Sequence, residues 1–502
     1  MTVLRQWLRF FWEKGRWYSM IQLFSSIDGH TLLLLAVSLG IALTFEFVNG
    51  FHDTANAVAT VIYTKSLSAR TAVVLSGICN FFGVSLGGIA VAYAIVHLLP
   101  VDLLVSVNTN LGLAMVFSLL VSAILWNFGT WYLGLPASSS HTLIGSILGV
   151  GVANAVREGL PAGSGVNWHM AVEVGLSLLI SPVIGFLLAG GLLLLLHRLL
   201  KNPALHQPPV GDAPPPFGMR LALILSGLGV SLAHGSNDGQ KGVGLIMLIL
   251  IGILPGIYAL DVDTPAEEMA AVRRAAATFT DYFDAHRLEI ATAYQTGQIV
   301  ALPQKSSAVS CDVRRAVAAS EAIQQRLALY DSIAAVPPAE RWTLRTDILC
   351  LDDAARIMEG LPGNKTEQPN IGELRKTLRR PTEYAPDWVI LAVSLALGLG
   401  TMVGWKRIVV TIGEKIGKTR LSYAQGASAQ IVAMVTIGLA DGLGLPVSTT
   451  HVLASGVAGT MAAHKSGLQM RTLRSIAMAW VFTLPAAMLL GAGLFFLFSR
   501  LA

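Results

Sequence analysis

Charge is scarce in this sequence. Asp, Glu, Lys and Arg make up 13% of its 502 residues, against about 25% in soluble globular proteins. Together with 53% hydrophobic residues and a mean hydropathy of +0.61, that shortage excludes a single water-soluble core and points to many membrane spans. The net charge is only +5, and the basic residues sit in short loops between apolar stretches, which argues against a nucleic-acid binder. Cysteine is nearly absent. Cys79 lies inside an apolar run, and Cys311 and Cys350 lie in the one long polar segment. A signal peptide is not evident either. Residues 1–20 are basic and aromatic, with no small-residue cleavage site after an apolar core, and they read as a helix in the membrane interface.

A membrane helix needs about 20 apolar residues. Ten segments qualify as candidates: 31–63, 71–98, 111–133, 137–155, 172–197, 219–256, 388–404, 424–442, 446–463 and 475–499. Two of them, 31–63 and 219–256, exceed one plain span and carry a polar stretch in the middle, where a break is expected. Residues 259–385 hold most of the acidic residues, and their apolar residues recur at helical spacing. The expected fold is an all-α polytopic membrane protein with broken or re-entrant helices and a soluble helical insertion. Its parts are an interfacial segment (1–30), a first membrane repeat (31–200), a linker (201–218), a second repeat (219–258 and 386–502) and the insertion (259–385).

The repeat rests on two alignments. Asn49-Gly50-Phe51-His52-Asp53-Thr54-Ala55-Asn56 matches His234-Gly235-Ser236-Asn237-Asp238-Gly239-Gln240-Lys241 at an offset of 185. Leu133-Gly134-Leu135-Pro136-Ala137-Ser138-Ser139-Ser140-His141 matches Leu443-Gly444-Leu445-Pro446-Val447-Ser448-Thr449-Thr450-His451 at an offset of 310. The difference of 125 nearly equals the length of the polar segment, so the second half reads as the first with a domain spliced in. Five segments per half place the halves in opposite orientations, an arrangement that puts the binding site near the midplane. Loops bearing Lys65, Arg198, Lys406, Arg407 and Arg471 then share one side, taken as cytoplasmic. The insertion falls on the other side, and the basic N-terminus is the exception to this count.

Asp53 and Asp238 interrupt apolar stretches at equivalent positions. A charge at the bilayer centre costs at least about 2.5–3.5 kcal/mol, so the pair reads as cation or proton coordination beside an unwound helix. The alternative is a helix cap, a task that uncharged Ser or Asn also performs. The two Pro-x-Ser/Thr-rich runs read as helix starts within the membrane. Their free backbone N–H groups and the hydroxyls of Ser138, Ser139, Ser140, Ser448, Thr449 and Thr450 suit one tetrahedral oxyanion. Ordinary capping and helix packing are the competing explanation. His141 and His451 are open to reading as ligands, proton relays or packing residues. Three positions break the repeat: Glu46 is matched by Ser231, Lys241 by Asn56, and His52 by Asn237. Glu46 lies seven residues before Asp53, about two helical turns, and Lys241 sits where it can neutralise Asp238.

At these motifs the chain resembles the Pit family of inorganic phosphate transporters, closely the low-affinity bacterial type. The resemblance extends over both halves and the insertion. It implies an inverted-repeat fold, phosphate between the two Ser/Thr helix starts, and cation coupling at Asp53, Asn56, Asn237 and Asp238. It also implies a homodimer and a location in the bacterial inner membrane, within the lipid bilayer. Sodium-coupled members of the family carry Asn-Asp followed by a second Asn in both motifs. His52 and Lys241 depart from that pattern, so Na⁺ is disfavoured. They fit the proton-coupled branch, which implies H⁺ as coupling ion and a divalent cation such as Mg²⁺ carried with phosphate as a neutral complex. No permanently bound cofactor and no enzymatic activity are expected. Sulfate is the rival oxyanion. A membrane phosphatase acting on a lipid diphosphate is the rival from another class, weakened by the lack of an arginine-rich cradle within the spans.

If the insertion is outside the cytoplasm, Cys311 and Cys350 are expected to pair, closing a loop worth roughly 3–4 kcal/mol to that domain. A membrane-impermeant maleimide should then label both residues on intact cells only after reduction. Labelling that needs permeabilisation but no reductant would refute both the disulfide and the orientation.

Overall fold

A computed structural model describes residues 27–98, 110–209, 211, 214–287, 313–359 and 371–500. The interfacial helix expected over 1–30 lies almost wholly outside the described residues, and Cys311 lies outside them too. Within them the chain is helical, with no strand. The first half contains α1 (Gly29–Tyr63), α2 (Ala69–Leu86), α3 (Ala90–Val96), α4 (Asn110–Tyr132), α5 (Ser139–Arg157) and α6 (Trp168–Leu199). The second opens with α7 (Phe217–Ile253). After the insertion it resumes with α12 (Asp387–Thr401), α13 (Lys406–Glu414), α14 (Tyr423–Gly442), α15 (Thr449–Ala463) and α16 (Met470–Phe498). The order is the same in both: a long helix, a broken pair, a span, a short helix opening at the Pro-x-Ser run, and a long helix with an internal proline, Pro182 or Pro485.

Seven described helices are long and apolar enough to cross a membrane, or eight if α12 and α13, bent by 64°, form one span. Of the ten segments expected from hydropathy, those that became α14 and α15 fall outside this count. Helix α14 carries buried Gln425, Ser428 and Gln430, and α15 has only 15 residues. Helix α15 is covered by neighbouring helices, whereas α14 buries its polar face and keeps Ile431, Val435 and Leu439 exposed.

The expected break in the two long helices does not occur. Helices α1 and α7 are continuous through Asp53 and Asp238, with 35 and 37 residues respectively. Their mid-helix polar side chains find partners on other helices, so the backbone keeps its own hydrogen bonds. The interruptions fall elsewhere, at Gly87–Ile89, at Met402–Trp405 and at the two Leu-Gly-Leu-Pro turns. Gly134 and Gly444 there have φ of +67° and +68°, a left-handed conformation that favours glycine. These turns explain why both copies of the motif carry glycine.

The halves interlock through glycine. A side chain at Gly50 of α1 would strike the backbone of Leu397 and Thr401 in α12, and one at Gly235 of α7 would strike Asn80 in α2. Reciprocally, Gly400 lies on Phe47 and Gly83 on Leu232. Such backbone approach is how membrane helices gain packing energy where lipid supplies no hydrophobic drive. It also brings α1 and α7 into fixed register with the rest.

The insertion forms a compact unit of its own, chiefly Leu250–Tyr384. It contains α8 (Ala266–Ala285), α9 (Val313–Leu329), α10 (Pro338–Glu359) and α11 (Ile371–Arg379). Met269, Phe279, Ile323, Leu344, Ile348 and Leu351 build its core. Arg345, buried, donates to the carbonyls of Ala259 and Thr382, both at 2.8 Å. Asp352 accepts from Arg375 at 3.1 Å and Arg379 at 3.0 Å. Cys350 is buried and disulfide-bonded, while Cys79 is free.

Gly235→Val should force α7 away from α2. The expected outcome is a protein with lowered melting temperature and broadened gel-filtration profile in detergent, whereas Gly191→Ala, where a methyl meets nothing within 4 Å, should behave as wild type. Equal stability of the two variants would disprove the close packing.

Candidate functional site

The centre of the membrane unit is polar and closed to solvent. Asp53 and Asp238 are 2% and 0% exposed, and each draws partners from a helix start of the opposite half. Helix α5 begins beyond Ser138, whose hydroxyl accepts from the His141 amide at 3.2 Å; Ser448 caps α15 by accepting from His451 at the same distance. These two hydroxyls are therefore engaged in capping. The next residues turn inward. Thr450 Oγ1 donates to Asp53 Oδ1 at 2.6 Å. Ser139 Oγ donates to Asp53 Oδ2 at 2.8 Å and lies 3.3 Å from Asp238 Oδ2, so it bridges the carboxylates.

The repeat is visible atom by atom. Asn56 Nδ2 donates to Asp53 Oδ1 at 3.3 Å and to Thr450 Oγ1 at 2.9 Å. Lys241 Nζ, at the equivalent place, donates to Asp238 Oδ1 at 2.7 Å and to Ser140 Oγ at 2.5 Å. The second half thus places a covalently attached cation where the first places a neutral amide. Ser140 passes its own proton to the Val447 carbonyl at 2.9 Å. Thr449 makes only a 3.4 Å contact, accepting from Asn56.

The other candidates divide. His52 Nδ1 lies 3.2 Å from Asp53 Oδ1 and its Nε2 lies 3.2 Å from Thr130 Oγ1, so it belongs to the cluster. Glu46 is fully buried and packed against Gly242, with Asn49 Nδ2 3.5 Å from one oxygen and no partner for Oε1. Asn237 faces away from both carboxylates. Its amide donates to Leu445 O at 3.1 Å and its oxygen receives the Val447 amide at 3.5 Å, tying α7 to the turn before α15. His141 and His451 stack on each other with ring centroids 4.5 Å apart, and His451 also packs 4.1 Å from Trp480.

One member of the cluster went unrecognised as a site residue: His234, although it lies within the quoted motif. Its i, i+4 spacing to Asp238 places both on one helix face, and that was the available signal. Asn80 Nδ2 donates to Thr401 Oγ1 at 2.8 Å, which turns its oxygen toward His234 Nδ1 at 3.0 Å. Nδ1 must therefore carry a proton. Nε2 faces Asp238 Oδ2 at 3.5 Å and Asp53 Oδ2 at 3.8 Å, without a hydrogen bond. A bare lone pair aimed at two carboxylates is repulsive, so the arrangement calls for a positive species at that point, either a proton on Nε2 or a cation among the three side chains. Ligand atoms of Asp53, His234 and Asp238 all lie within 4.8 Å of one another. Nitrogen and oxygen donors of this kind suit a divalent metal.

Comparison with known proteins agrees with this architecture. A profile of the phosphate transporter family matches residues 49–491. The chain is 46% identical over 497 residues to the low-affinity inorganic phosphate transporter PitA of Escherichia coli strain K12, covering 95% of this chain and 99% of that protein. It is 27% identical over 473 residues to a probable low-affinity inorganic phosphate transporter of Bacillus subtilis strain 168, covering 94% of this chain and 99% of that protein. Among solved structures it superposes on a sodium-dependent phosphate transporter with a TM-score of 0.52 and 20% identity, covering 94% of this chain and all of that one. The last likeness establishes the fold alone.

Removing a hydroxyl from a desolvated oxyanion costs about 1.5–3 kcal/mol. Ser139→Ala and Thr449→Ala are each expected to weaken phosphate binding about tenfold or more, measured by calorimetry on purified protein. Unchanged affinity in both would move the anion site elsewhere.

Proposed function

Because the chain belongs to the phosphate transporter family, we propose that it imports inorganic phosphate as a neutral complex with a divalent metal, driven by protons. It is a multi-pass membrane transporter, not an enzyme, so the phosphatase reading falls away. The finer reading rests on one observation: the unsatisfied Nε2 of His234 beside two carboxylates, within reach of inward-turned hydroxyls. In this reading Asp53, His234 and Asp238 receive the metal, carried as substrate; the two carboxylates suit Mg²⁺, and the imidazole suits a borderline metal such as Zn²⁺. Ser139, Thr449 and the amide ends of α5 and α15 receive its phosphate.

Charge supports the neutral cargo. Asp53 and Asp238 against Lys241 leave one net negative charge in a buried cluster, before the titratable Glu46 and His234 are counted. A divalent cation with a doubly charged hydrogen phosphate adds nothing to that sum, whereas the naked anion makes it worse by two. Lys241 supports proton coupling over sodium, since its ammonium holds Asp238 and Ser140 where a neutral asparagine stands in the other half. Asn56 retains its amide beside Asp53, and Asn237 acts structurally, so the paired asparagine pattern of sodium-coupled relatives is not reproduced. A proton on His234 Nε2 and a metal among the three side chains occupy the same space. Proton binding and metal binding are then mutually exclusive at His234, so the proton that travels with the cargo needs an acceptor outside these three side chains. Glu46, buried next to this group, is a second proton acceptor in the scheme. A homodimer in a bacterial inner membrane is the setting we infer for it.

Purified protein in liposomes tests the scheme. Uptake of labelled phosphate should follow an imposed pH gradient without sodium, require a divalent cation, and stop on chelation. Sulfate should not compete. His234→Ala should abolish metal-dependent uptake while the protein stays folded. A strict sodium requirement at constant pH, with no response to a proton gradient, would overturn it.

A further inference from the structure

A second concentration of anion-binding chemistry lies at the surface of the membrane unit. Where α12 bends into α13, a cleft of about 660 Å³ opens between that bend and the end of α4. Its walls include Trp131, Tyr132, Trp405, Lys406, Arg407 and Lys415. Three cations line it and no acid does. Among the described residues none of the three forms an ion pair. Glu414, beside Lys415 in sequence, lies near Tyr63 and Arg420 and forms no ion pair with Lys415.

Arg407 is held firmly. Its guanidinium lies 5.2 Å from the Trp131 ring centroid and 4.8 Å from that of Tyr132, and Nη1 donates to the Tyr132 carbonyl at 2.7 Å. Trp131 is itself pinned by donation to the Gly404 carbonyl at 2.8 Å. One carbonyl uses one of the five guanidinium N–H groups, and the rest keep the fork geometry that suits a phosphate oxygen pair. The surface beside the cleft is apolar: Leu133 is 70% exposed, Tyr132 59% and Phe128 50%. On a membrane protein such a strip faces lipid tails, and Trp and Tyr mark the headgroup level.

We propose that this cleft binds the headgroup of an anionic phospholipid, with the phosphodiester on Arg407, Lys406 and Lys415 and an acyl chain along Phe128 and Leu133. Basic clefts between membrane helices take anionic headgroups in this way, and the volume lies within the range of small-molecule sites. The site is distinct from the central carboxylate cluster, and no residue is shared. Occupancy bears on the bend at Met402–Trp405 and on the Gly134 turn, to which Thr411 of α13 donates at 2.9 Å.

Native mass spectrometry of the full-length protein in detergent tests the inference. Phosphatidylglycerol should be retained at least fivefold more than phosphatidylcholine of the same chains, and R407Q should lose that preference. Should R407Q prove unstable, K406Q/K415Q, which leaves the aromatic stack intact, should lose it instead. Equal retention of the two lipids, or an unchanged preference in the variants, would refute the site. Displacement of bound phosphatidylglycerol by millimolar inorganic phosphate would likewise overturn it, assigning the cleft to the free anion.

Discussion

Two carboxylates that meet across one serine hydroxyl set the terms for the rest of this molecule. Asp53 and Asp238 reach Ser139 from different helices at 2.8 and 3.3 Å, within a unit most of whose helices are apolar enough for lipid. Buried charge of one sign is costly unless it is paired and fully hydrogen-bonded. Each partner needed for that comes at a structural cost elsewhere. Thr450 and Ser140 arrive only because α15 and α5 begin deep inside the protein. Those starts require sharp turns, and the turns require Gly134 and Gly444. Long helices α1 and α7 deliver the acids only because Gly50 and Gly235 let them approach α12 and α2 closely enough. The glycines, prolines and hydroxyls of the four motifs are thus consequences of holding the acids in place.

The repeat gives that centre an approximate twofold pattern, and the departures from it carry the chemistry. Asn56 and Lys241 make the same pair of hydrogen bonds, to an aspartate of their own helix and to a hydroxyl of the opposite helix start. One is neutral and one is charged. His52 supports Asp53, whereas Asn237 at the equivalent place turns to the backbone of Leu445 and Val447. His234 stands where the first half has Asn49. A symmetric site would present two like coordination shells. This one presents a cationic end at Lys241 and an imidazole with an unsatisfied nitrogen.

Much of this was legible in the sequence because duplication acts as an internal alignment. Two acids in apolar runs, found at one register, single each other out, and Pro-x-Ser followed by its cognate Pro-x-Ser-Thr-Thr marks helix starts that a single copy would leave ambiguous. The same reasoning failed where the outcome depends on tertiary partners. Polar residues in the middle of α1 and α7 suggested unwinding, yet a helix survives when other helices satisfy those side chains. The motif drew attention to Asn237 as a ligand and passed over His234, since pattern matching to relatives weighs the asparagine and does not show which way a side chain faces. Only the Asn80–Thr401 bond, formed between halves, fixes the histidine tautomer.

The asymmetry continues outward from the centre to the contacts that flank it. Phe51 stacks edge-on against Trp131 at 5.0 Å and Phe128 at 6.5 Å. By the repeat register, Phe51 is matched by Ser236 and Trp131 by Asp441. There the contact is a hydrogen bond, Ser236 Oγ to Asp441 Oδ2 at 2.5 Å, joined by Gln240 to Asp441 Oδ1 at 2.7 Å. Gln240 in turn accepts from the Val91 amide at the start of α3. An aromatic contact responds to volume and hydration and is indifferent to protons. A contact through a half-buried carboxylate depends on the charge of that group. Here the duplicated scaffold keeps the two positions in register, while their composition makes the two contacts answer to different variables.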